Sequence, residues 1–508
     1  MIAQAHSATL LGIDALPIVV EVDQRTYTGG EGESTVTMVG LADKAVQESQ
    51  VRVRQAISNT EDLKFPFNKI IVNLAPGDIR KEGPFLDLPI AIAILAANGH
   101  IALEELEGTL ILGELGLDGA LRKIDGAVSV VLMAVEKGFT RVILPAQNAH
   151  EAAITPNVEI FGVRTLLEAV ELLNGAPHEP IRYVDTPESR LPEYGVDYSD
   201  VKGQRTAIRA LEIAAAGGHN VLMVGPPGSG KTMLARRLPT ILPALSLEEA
   251  IQVTRIYSAS GKKGDRMGLI WERPFRSPHH SASHAAIVGG GKNPKPGEIS
   301  LSHHGVLFMD EMPEFDRQVL EALRQPLEDG VVTVSRVQAS ITFPAETILI
   351  GAMNPCPCGF RGLPEQKCVS SPTQCIKYAG KISGPLMDRI DLHIEVPRLK
   401  PDELLGASSG ECSDAIRERV MMARERQHSR LGNHKVNAKM QPREIRELIV
   451  LNEECTDFMR NVTNRMNISA RVFDRILKVA RTIADLSGDP DVAKNHLSES
   501  VQYRERTS

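Results

Sequence analysis

The sequence predicts an α/β protein: two mixed domains followed by a helical C-terminal part. Three observations carry that expectation. A short apolar run at 221–224 leads into G-P-P-G-S-G-K-T at 225–232, the pattern G-x-x-x-x-G-K-[ST] that joins a buried strand to the start of a helix. Pro177, Pro180, Pro187 and Pro192 lie among polar residues and break any regular element between 175 and 200. Ser469 precedes Phe473, Ile476, Leu477, Ala480 and Ile483, an i, i+3, i+4 stripe that stops at Gly488.

These breaks divide the 508 residues into an N-terminal domain (1–174), a linker (175–199), a central domain (200–397) and a helical C-terminal domain (398–508). In the first, 35–39, 69–74, 109–113 and 141–144 read as strands and 88–97 and 128–137 as helices. Asp489-Pro490 is placed to start a helix after Gly488. Roughly 70 residues separate Thr232 from the apolar run at 305–310, so an insert is expected there, with 259–300 as a long loop or hairpin.

A net charge of −7 excludes a global basic field, so any nucleic-acid contact must come from local patches. No apolar run reaches the ~20 residues that span a bilayer. The first 14 residues lack a basic segment followed by an apolar one, so no export signal is expected. Six cysteines do not make a disulfide scaffold in a chain this long, and a reducing cytoplasm is the expected location.

The chemistry begins at 225–232. Gly225, Pro226, Pro227, Gly228, Ser229, Gly230, Lys231 and Thr232 form a loop whose backbone N–H groups suit an anionic phosphate, with the helix behind adding partial positive charge. Lys231 is expected to reach the β- and γ-phosphates of ATP, and Thr232 to place its hydroxyl on Mg²⁺. The apolar strand ending in Asp310 and Glu311 is expected to supply a carboxylate for Mg²⁺ or its waters, Asp310, and a general base for the attacking water, Glu311. Asn354 ends another apolar run, where its amide can reach that water or the γ-phosphate. Arg389 is either a surface cation or a finger that spreads transition-state charge on a neighbour's nucleotide; Arg471 is a second candidate for the γ-phosphate.

Four cysteines, Cys356, Cys358, Cys368 and Cys375, fall within 20 residues. Two readings stand: a structural tetrahedral Zn²⁺, against which the tight C-x-C spacing counts, or four reduced thiols in a loop. His279, His280, His284, His303 and His304 read as packing and hydrogen-bonding residues rather than a metal site. The run G-V-V-T-V-S-R-V-Q-A-S-I-T-F at 330–343 alternates as a hairpin does, with Arg336 near its turn.

The stretches R-P-F-R-S-P-H-H-S-A-S-H (273–284), P-G-E-I-S-L-S-H-H-G-V-L-F-M-D-E (296–311) and S-G-P-L-M-D-R-I-D-L (383–392) closely resemble the ComM/YifB family of magnesium-chelatase-like AAA+ ATPases. The resemblance covers essentially the whole chain. It implies a P-loop AAA+ α/β core, a C-terminal helical lid and a ring, usually a hexamer, with ATP between subunits. It assigns Asn354 as sensor 1, Arg389 as the trans-acting finger, Arg471 as sensor 2 and Gln204 as the start of the adenine pocket. It implies a pore lined by the insert and the 330–343 hairpin, with Arg336, Lys262, Lys263, Lys292 and Lys295 as cations for a DNA backbone. The family resemblance also implies DNA branch migration; the alternative is a chelatase-type ATPase that remodels a protein partner.

The N-terminal domain resembles the Lon-protease-like fold (ribosomal S5 domain 2-like). Phe85, in G-P-F-L-D, stands where that family has its nucleophilic serine, and Val128 stands in place of the dyad lysine. A Ser–Lys dyad needs both partners, so peptide cleavage is not expected.

Overall fold

The computed structural model describes residues 2–26, 35–41, 43–81, 83–183, 194–263, 268–291, 294–335, 340–362, 366–399, 410–432, 435–466 and 468–504. They form two compact units, Met1–Pro187 with Leu247–Ile270, and Glu188–Ser246 with Trp271–Ser508.

In the first unit, β1 (Ile2–Leu11) and β2 (Asp14–Thr26) pair antiparallel, with Leu11 opposite Asp14 across the turn. They are followed by β3 (Val36–Val39), β4 (Asn68–Ala75), β5 (Thr109–Ile111), β6 (Glu114–Leu115), β7 (Leu121–Arg122), β8 (Arg141–Pro145) and β9 (Glu159–Val163). Seven of these make one mixed sheet in the order β3-β4-β2-β1-β5-β8-β9, and β6 pairs with β7. Strands form at the four expected places. The expected helices run Asp87–Ala97 and Ala127–Glu136. The β1–β2 hairpin, β9 and the helix Lys44–Asn59 are additional.

The helix Asp87–Ala97 is buried all round, as its apolar sequence requires. Its one charged residue, Asp87, is fully buried and fully engaged. It accepts hydrogen bonds from Ser49 Oγ, from Arg52 Nε at 2.7 Å and from Leu115 N at 3.2 Å. Asp87 in turn raises the pKa of Arg52. Just before it, Phe85 lies in the turn Pro84–Leu86 and packs on the core, and Val128 is buried in its helix.

The helix Leu247–Ser260 belongs to this unit, although the division of the sequence at 200 assigns it to the central domain. Arg255 holds it, donating to Ile13 O at 3.1 Å and pairing with Asp14, while Ser258 O accepts from Gly126 N at 3.1 Å. Lys263 corrects an expectation. Its ammonium is buried 3.5 Å from Glu151, so it is not an exposed cation. Burial lowers its pKa, with Glu151 opposing.

The second unit contains β10 (Val221–Val224), β11 (Phe275–Arg276), β12 (Gly289–Gly290), β13 (Lys295–Pro296), β14 (Val306–Met309), β15 (Val331–Ser335), β16 (Ser340–Pro344), β17 (Ile348–Met353) and β18 (Leu392–Glu395). Five form a parallel sheet in the order β11-β14-β17-β10-β18. β14 and β17 are buried throughout and β10 nearly so, which is why they read as unbroken apolar runs rather than alternating ones. The expected hairpin is β15 with β16, Ser335 opposite Ser340; Arg336, expected near its turn, lies outside the described residues. Lys292 does too, whereas Lys262 and Lys295 are exposed.

The C-terminal helices include Ser413–Leu431, Pro442–Leu448, Glu453–Met466, Ala470–Ser487 and Lys494–Gln502. Ser469 caps the fourth through Val472 N, and Gly488 ends it with φ 82°. The following helix begins at Lys494 rather than at Asp489-Pro490, because Arg481 takes the Asp489 and Pro490 carbonyls, both at 2.7 Å, and holds that segment as a turn. No helix of the described residues is long and apolar enough to cross a membrane.

Removing a buried ion-pair partner leaves the other group uncompensated. Asp87→Ala is therefore expected to destabilise the first unit by about 3 kcal/mol, read as a lower urea midpoint of the full chain. An unchanged midpoint would show that the Ser49–Asp87–Arg52 network does not hold the helix.

Candidate active site

In a parallel sheet the loops at the carboxyl ends of neighbouring strands converge, and ligands bind where the strand order reverses. Here β10 lies between β17 and β18, with Val224 level with Met353 and with Glu395. The 225–232 loop leaves β10, Asp310 follows β14 and Asn354 follows β17, so all three reach one edge of the sheet.

Gly225 passes so close to β18 that a Cβ there would sit 2.2 Å from Val396 O; no larger residue fits. Lys231 is buried at the start of the helix Lys231–Ile241, with its Nζ 2.7 Å from Gly225 O, 3.0 Å from Pro226 O and 3.4 Å from Asn354 Oδ1. Burial lowers its pKa and Asp310 partly restores it. Thr232 Oγ1 donates to Asp310 Oδ2 at 2.8 Å, and Asp310 Oδ1 accepts from Glu311 N at 3.0 Å. The Thr232 and Asp310 oxygens are thus together, as a shared divalent cation requires. The Ser229 hydroxyl is buried in the loop without a protein partner, an arrangement that suits a ligand oxygen.

Two residues here adopt left-handed backbone without being glycine: Glu311 at φ 50° and Gln204 at φ 54°. Such residues are held by their surroundings and cluster at functional sites. Gln204 is buried, donating to Ser229 O at 3.3 Å and to Pro397 O at 2.7 Å, which places it behind the loop. The turn at Glu311 leaves its carboxylate half-exposed, 3.2 Å from His280 Nδ1. His280 follows β11, which is fixed by Arg273 on Pro243 O and His304 O, both at 2.6 Å. Of the other histidines, His303 is buried and accepts from Glu346 N at 3.0 Å; burial lowers its pKa. Among the described residues the histidines form no three-ligand group.

Arg389 and Arg471 meet at one carboxylate. Arg389 pairs with Glu328 and donates to Pro385 O at 2.8 Å; Arg471 lies 3.7 Å from the other oxygen of Glu328. Arg389 is buried, not projecting, whereas Arg471 is half exposed. Burial works against the charge of Glu328, but Arg389 and Arg471 outweigh it and lower its pKa. One turn beyond Arg471, Arg475 donates to Arg389 O at 3.1 Å and pairs with buried Asp391. Glu328, Arg475, His280 and Arg398, whose Nη2 lies 3.3 Å from Pro227 O, were not foreseen as parts of this site. Only the Arg471–Arg475 spacing, which puts both on one helix face, is visible in the sequence.

The four cysteines converge beside this site. Cys356 Sγ is 3.2 Å from Cys358 Sγ and 3.6 Å from Cys368 Sγ; Cys368 Sγ is 3.5 Å from Cys358 Sγ and 3.8 Å from Cys375 Sγ. Cys356, Cys368 and Cys375 have sulfurs that all lie within 4.8 Å of one another; tetrahedral Zn–S bonds of about 2.3 Å set sulfurs about 3.8 Å apart, so these three suit that ion, with Cys358 beside Cys356 as the nearest fourth thiol. Hydrogen bonds, first from Phe360 N, push the Cys358 thiol down to about 5.

The fold and this site define an AAA+ type of α/β nucleotide-binding module with a helical C-terminal part. Residues 197–404 match the family described as magnesium chelatase, subunit ChlI; 22–148 match subunit ChlI of Mg-chelatase, and 410–504 its C-terminal region. The chain is 43% identical to the competence protein ComM of Haemophilus influenzae, over 99% of this chain and 97% of that one. It is 43% identical to YifB of Escherichia coli over 98% and 96% of the two chains. A 106-residue stretch is 35% identical to the DNA repair protein RadA of Halalkalibacterium halodurans, covering 20% of this chain and 22% of RadA. The chain belongs to the ComM/YifB family of magnesium-chelatase-like proteins.

Asp391 offers a test of how the arginines are held. Burial opposes its ionisation, but Arg475, His219 and Arg504 outweigh it and hold the carboxyl well below the usual range. A carboxyl with a depressed folded pKa stabilises above its unfolded value, about 3.9, and that contribution is lost as pH falls below it. The stability gap between wild type and Asp391→Asn should be full at pH 7 and shrink steadily below about pH 4. A gap that stays constant in urea unfolding from pH 7 to pH 3 would contradict the charged pairing.

Proposed function

We propose that this chain is an ATP-hydrolysing ring motor that acts on DNA, moving branch points or unwinding strands. The observation that carries the catalytic half is the convergence of Lys231, Thr232, Asp310, Glu311 and Asn354 at one sheet edge. Lys231 draws charge from the β- and γ-phosphates; Thr232 and Asp310 hold Mg²⁺. Glu311 takes a proton from the attacking water, which Asn354 orients. Gln204, behind the loop, borders the adenine.

Arg389 acts on the nucleotide of a neighbouring subunit. The role draws on its place in S-G-P-L-M-D-R-I-D-L and requires Arg389 to leave Glu328 for the neighbour's phosphate. Arg471 shares that carboxylate and senses the γ-phosphate. A finger that acts on a neighbour calls for a ring, and the family resemblance implies six subunits. The DNA half draws on the kinship with proteins named for competence and for DNA repair, with the β15–β16 hairpin carrying Arg336, and Lys262, Lys292 and Lys295, as backbone contacts. The N-terminal unit, with Phe85 and Val128 at the dyad positions, guides DNA or assembly and cleaves nothing. Zn²⁺ occupies Cys356, Cys358, Cys368 and Cys375.

A second reading, a chelatase-type ATPase acting on a protein partner, draws on 24% identity over 361 residues to magnesium-chelatase subunit ChlI-2 of Arabidopsis thaliana. DNA separates the two: branched or single-stranded DNA should stimulate ATP turnover by the assembled protein, and no stimulation would sink the DNA reading.

Lys231→Ala is expected to abolish turnover, and Arg389→Ala to lower it about 10³-fold. Mixing the two inactive variants should restore turnover, because mixed rings pair an intact phosphate loop with a neighbour's intact Arg389. No recovery on mixing would place Arg389 in its own subunit's site.

A further inference from the structure

The segment that carries the four cysteines begins two residues after Asn354 and touches the nucleotide site twice. Gly359, at φ 83°, packs directly on the phosphate loop: a Cβ there would lie 2.6 Å from Pro227 Cδ and 2.9 Å from Pro227 Cγ. At the other end, Cys375 sits on the helix Pro372–Ala379, which Ser371 and Gln374 start with a capping box. One turn further along that helix, Tyr378 is buried beside Asn354, whose backbone opposes the rise in the tyrosine's pKa that burial causes. The first contact bears on the loop that cradles phosphate, the second on the residue aimed at the γ-phosphate.

Gly359 N donates to Cys356 O at 3.0 Å and Arg361 N to Cys356 Sγ at 3.3 Å. Cys356 and Cys375 are buried while Cys358 and Cys368 are partly exposed, so the sulfurs bridge the interior and the surface. A metal that joins Cys356, Cys358 and Cys368 to Cys375 cross-links this segment to the helix Pro372–Ala379 and so restricts it.

We propose that the four-cysteine site is a metal-held brace for the nucleotide site: Zn²⁺ ties the 356–368 loop to the helix Pro372–Ala379, and the tie positions Pro227 through Gly359 and Asn354 through Tyr378. This rests on the zinc and ATPase readings above and adds that zinc occupancy governs nucleotide binding and turnover. The cysteines, Gly359 and Tyr378 are positioning residues; none is assigned a contact with ATP. Each thiol that joins the metal releases its proton to solvent, and no redox step is involved.

The test uses the full-length protein expressed with zinc. Zinc per chain is counted by mass spectrometry, nucleotide affinity is titrated with a fluorescent ATP analogue, and turnover is measured separately. Wild type should hold about one zinc per chain. Cys358→Ser with Cys368→Ser should lose the metal, weaken nucleotide binding and lower turnover about tenfold or more. Two further variants keep all four ligands and decide the matter even if that protein folds poorly. Tyr378→Phe should retain zinc and nucleotide affinity yet lower kcat about tenfold. Gly359→Ala should retain zinc yet weaken nucleotide affinity. Wild type without zinc overturns the metal reading and the brace together. Zinc present, with affinity and turnover unchanged in Tyr378→Phe and Gly359→Ala, leaves the metal reading intact and overturns the brace. A wild type that binds zinc and nucleotide but does not turn over ATP would refute the ATPase reading; the brace would then stand or fall on nucleotide affinity alone.

Discussion

The parallel register of β10 with β17, and of β17 with β14, is the constraint on which the site depends. Val224 lies level with Met353, and Met309 with Gly351, so three strands finish within one or two residues of one another. Each then delivers a different chemical type: a glycine-rich loop, a pair of carboxylates, an amide. A one-residue slip in any strand would send its terminal side chain to the opposite face of the sheet. The buried apolar runs that pin this register therefore position Asp310 and Asn354, even though they touch no ligand. Gly225 shows how tightly the arrangement closes, since β18 leaves no room for a Cβ.

Electrostatics adds a second layer. Lys231 is buried where desolvation works against its charge, and its ammonium is met by carbonyls of its own loop and by Asn354. A cation held this way is ready to exchange weak dipoles for phosphate oxygens. The same logic runs at Glu328, where one carboxylate gathers Arg389 and Arg471. Arg475 and Asp391 tie the segment bearing Arg389 to the helix bearing Arg471. Movement of that helix must move both arginines or break a buried pair.

What the sequence discloses follows from distance along the chain. The phosphate loop, the Asp310-Glu311 pair and the Ser469 cap are local patterns, and each is legible because one short segment contains its whole cause. The β1–β2 hairpin is hidden by small and polar residues: Ala3, Ala5, Ser7 and Ala8 are all buried, yet only packing makes them a strand. The contacts of Lys263 with Glu151, Arg389 with Glu328 and His280 with Glu311 join residues far apart in sequence, and no spacing rule announces them. Lys263 is instructive, because a lysine beside a loop ordinarily reads as a solvated cation. The helix Leu247–Ser260 lies in the first unit for the same reason: Arg255 finds its partners at Ile13 and Asp14.

Asn354 is where these threads meet. Its side chain faces Lys231, its backbone lies beside buried Tyr378, and two residues later the chain enters the cysteine cluster. An amide at the end of a strand has rotational freedom unless something fixes the backbone that follows it. β17 fixes what precedes Asn354; nothing in the sheet fixes what comes after, because the chain turns away from β10 at that point. In the proposed brace, buried Tyr378 beside Asn354 and the packing of Gly359 on Pro227 are that second anchor. On the proposed brace, the geometry of this amide is decided as much by four sulfurs outside the sheet as by the strand that carries it.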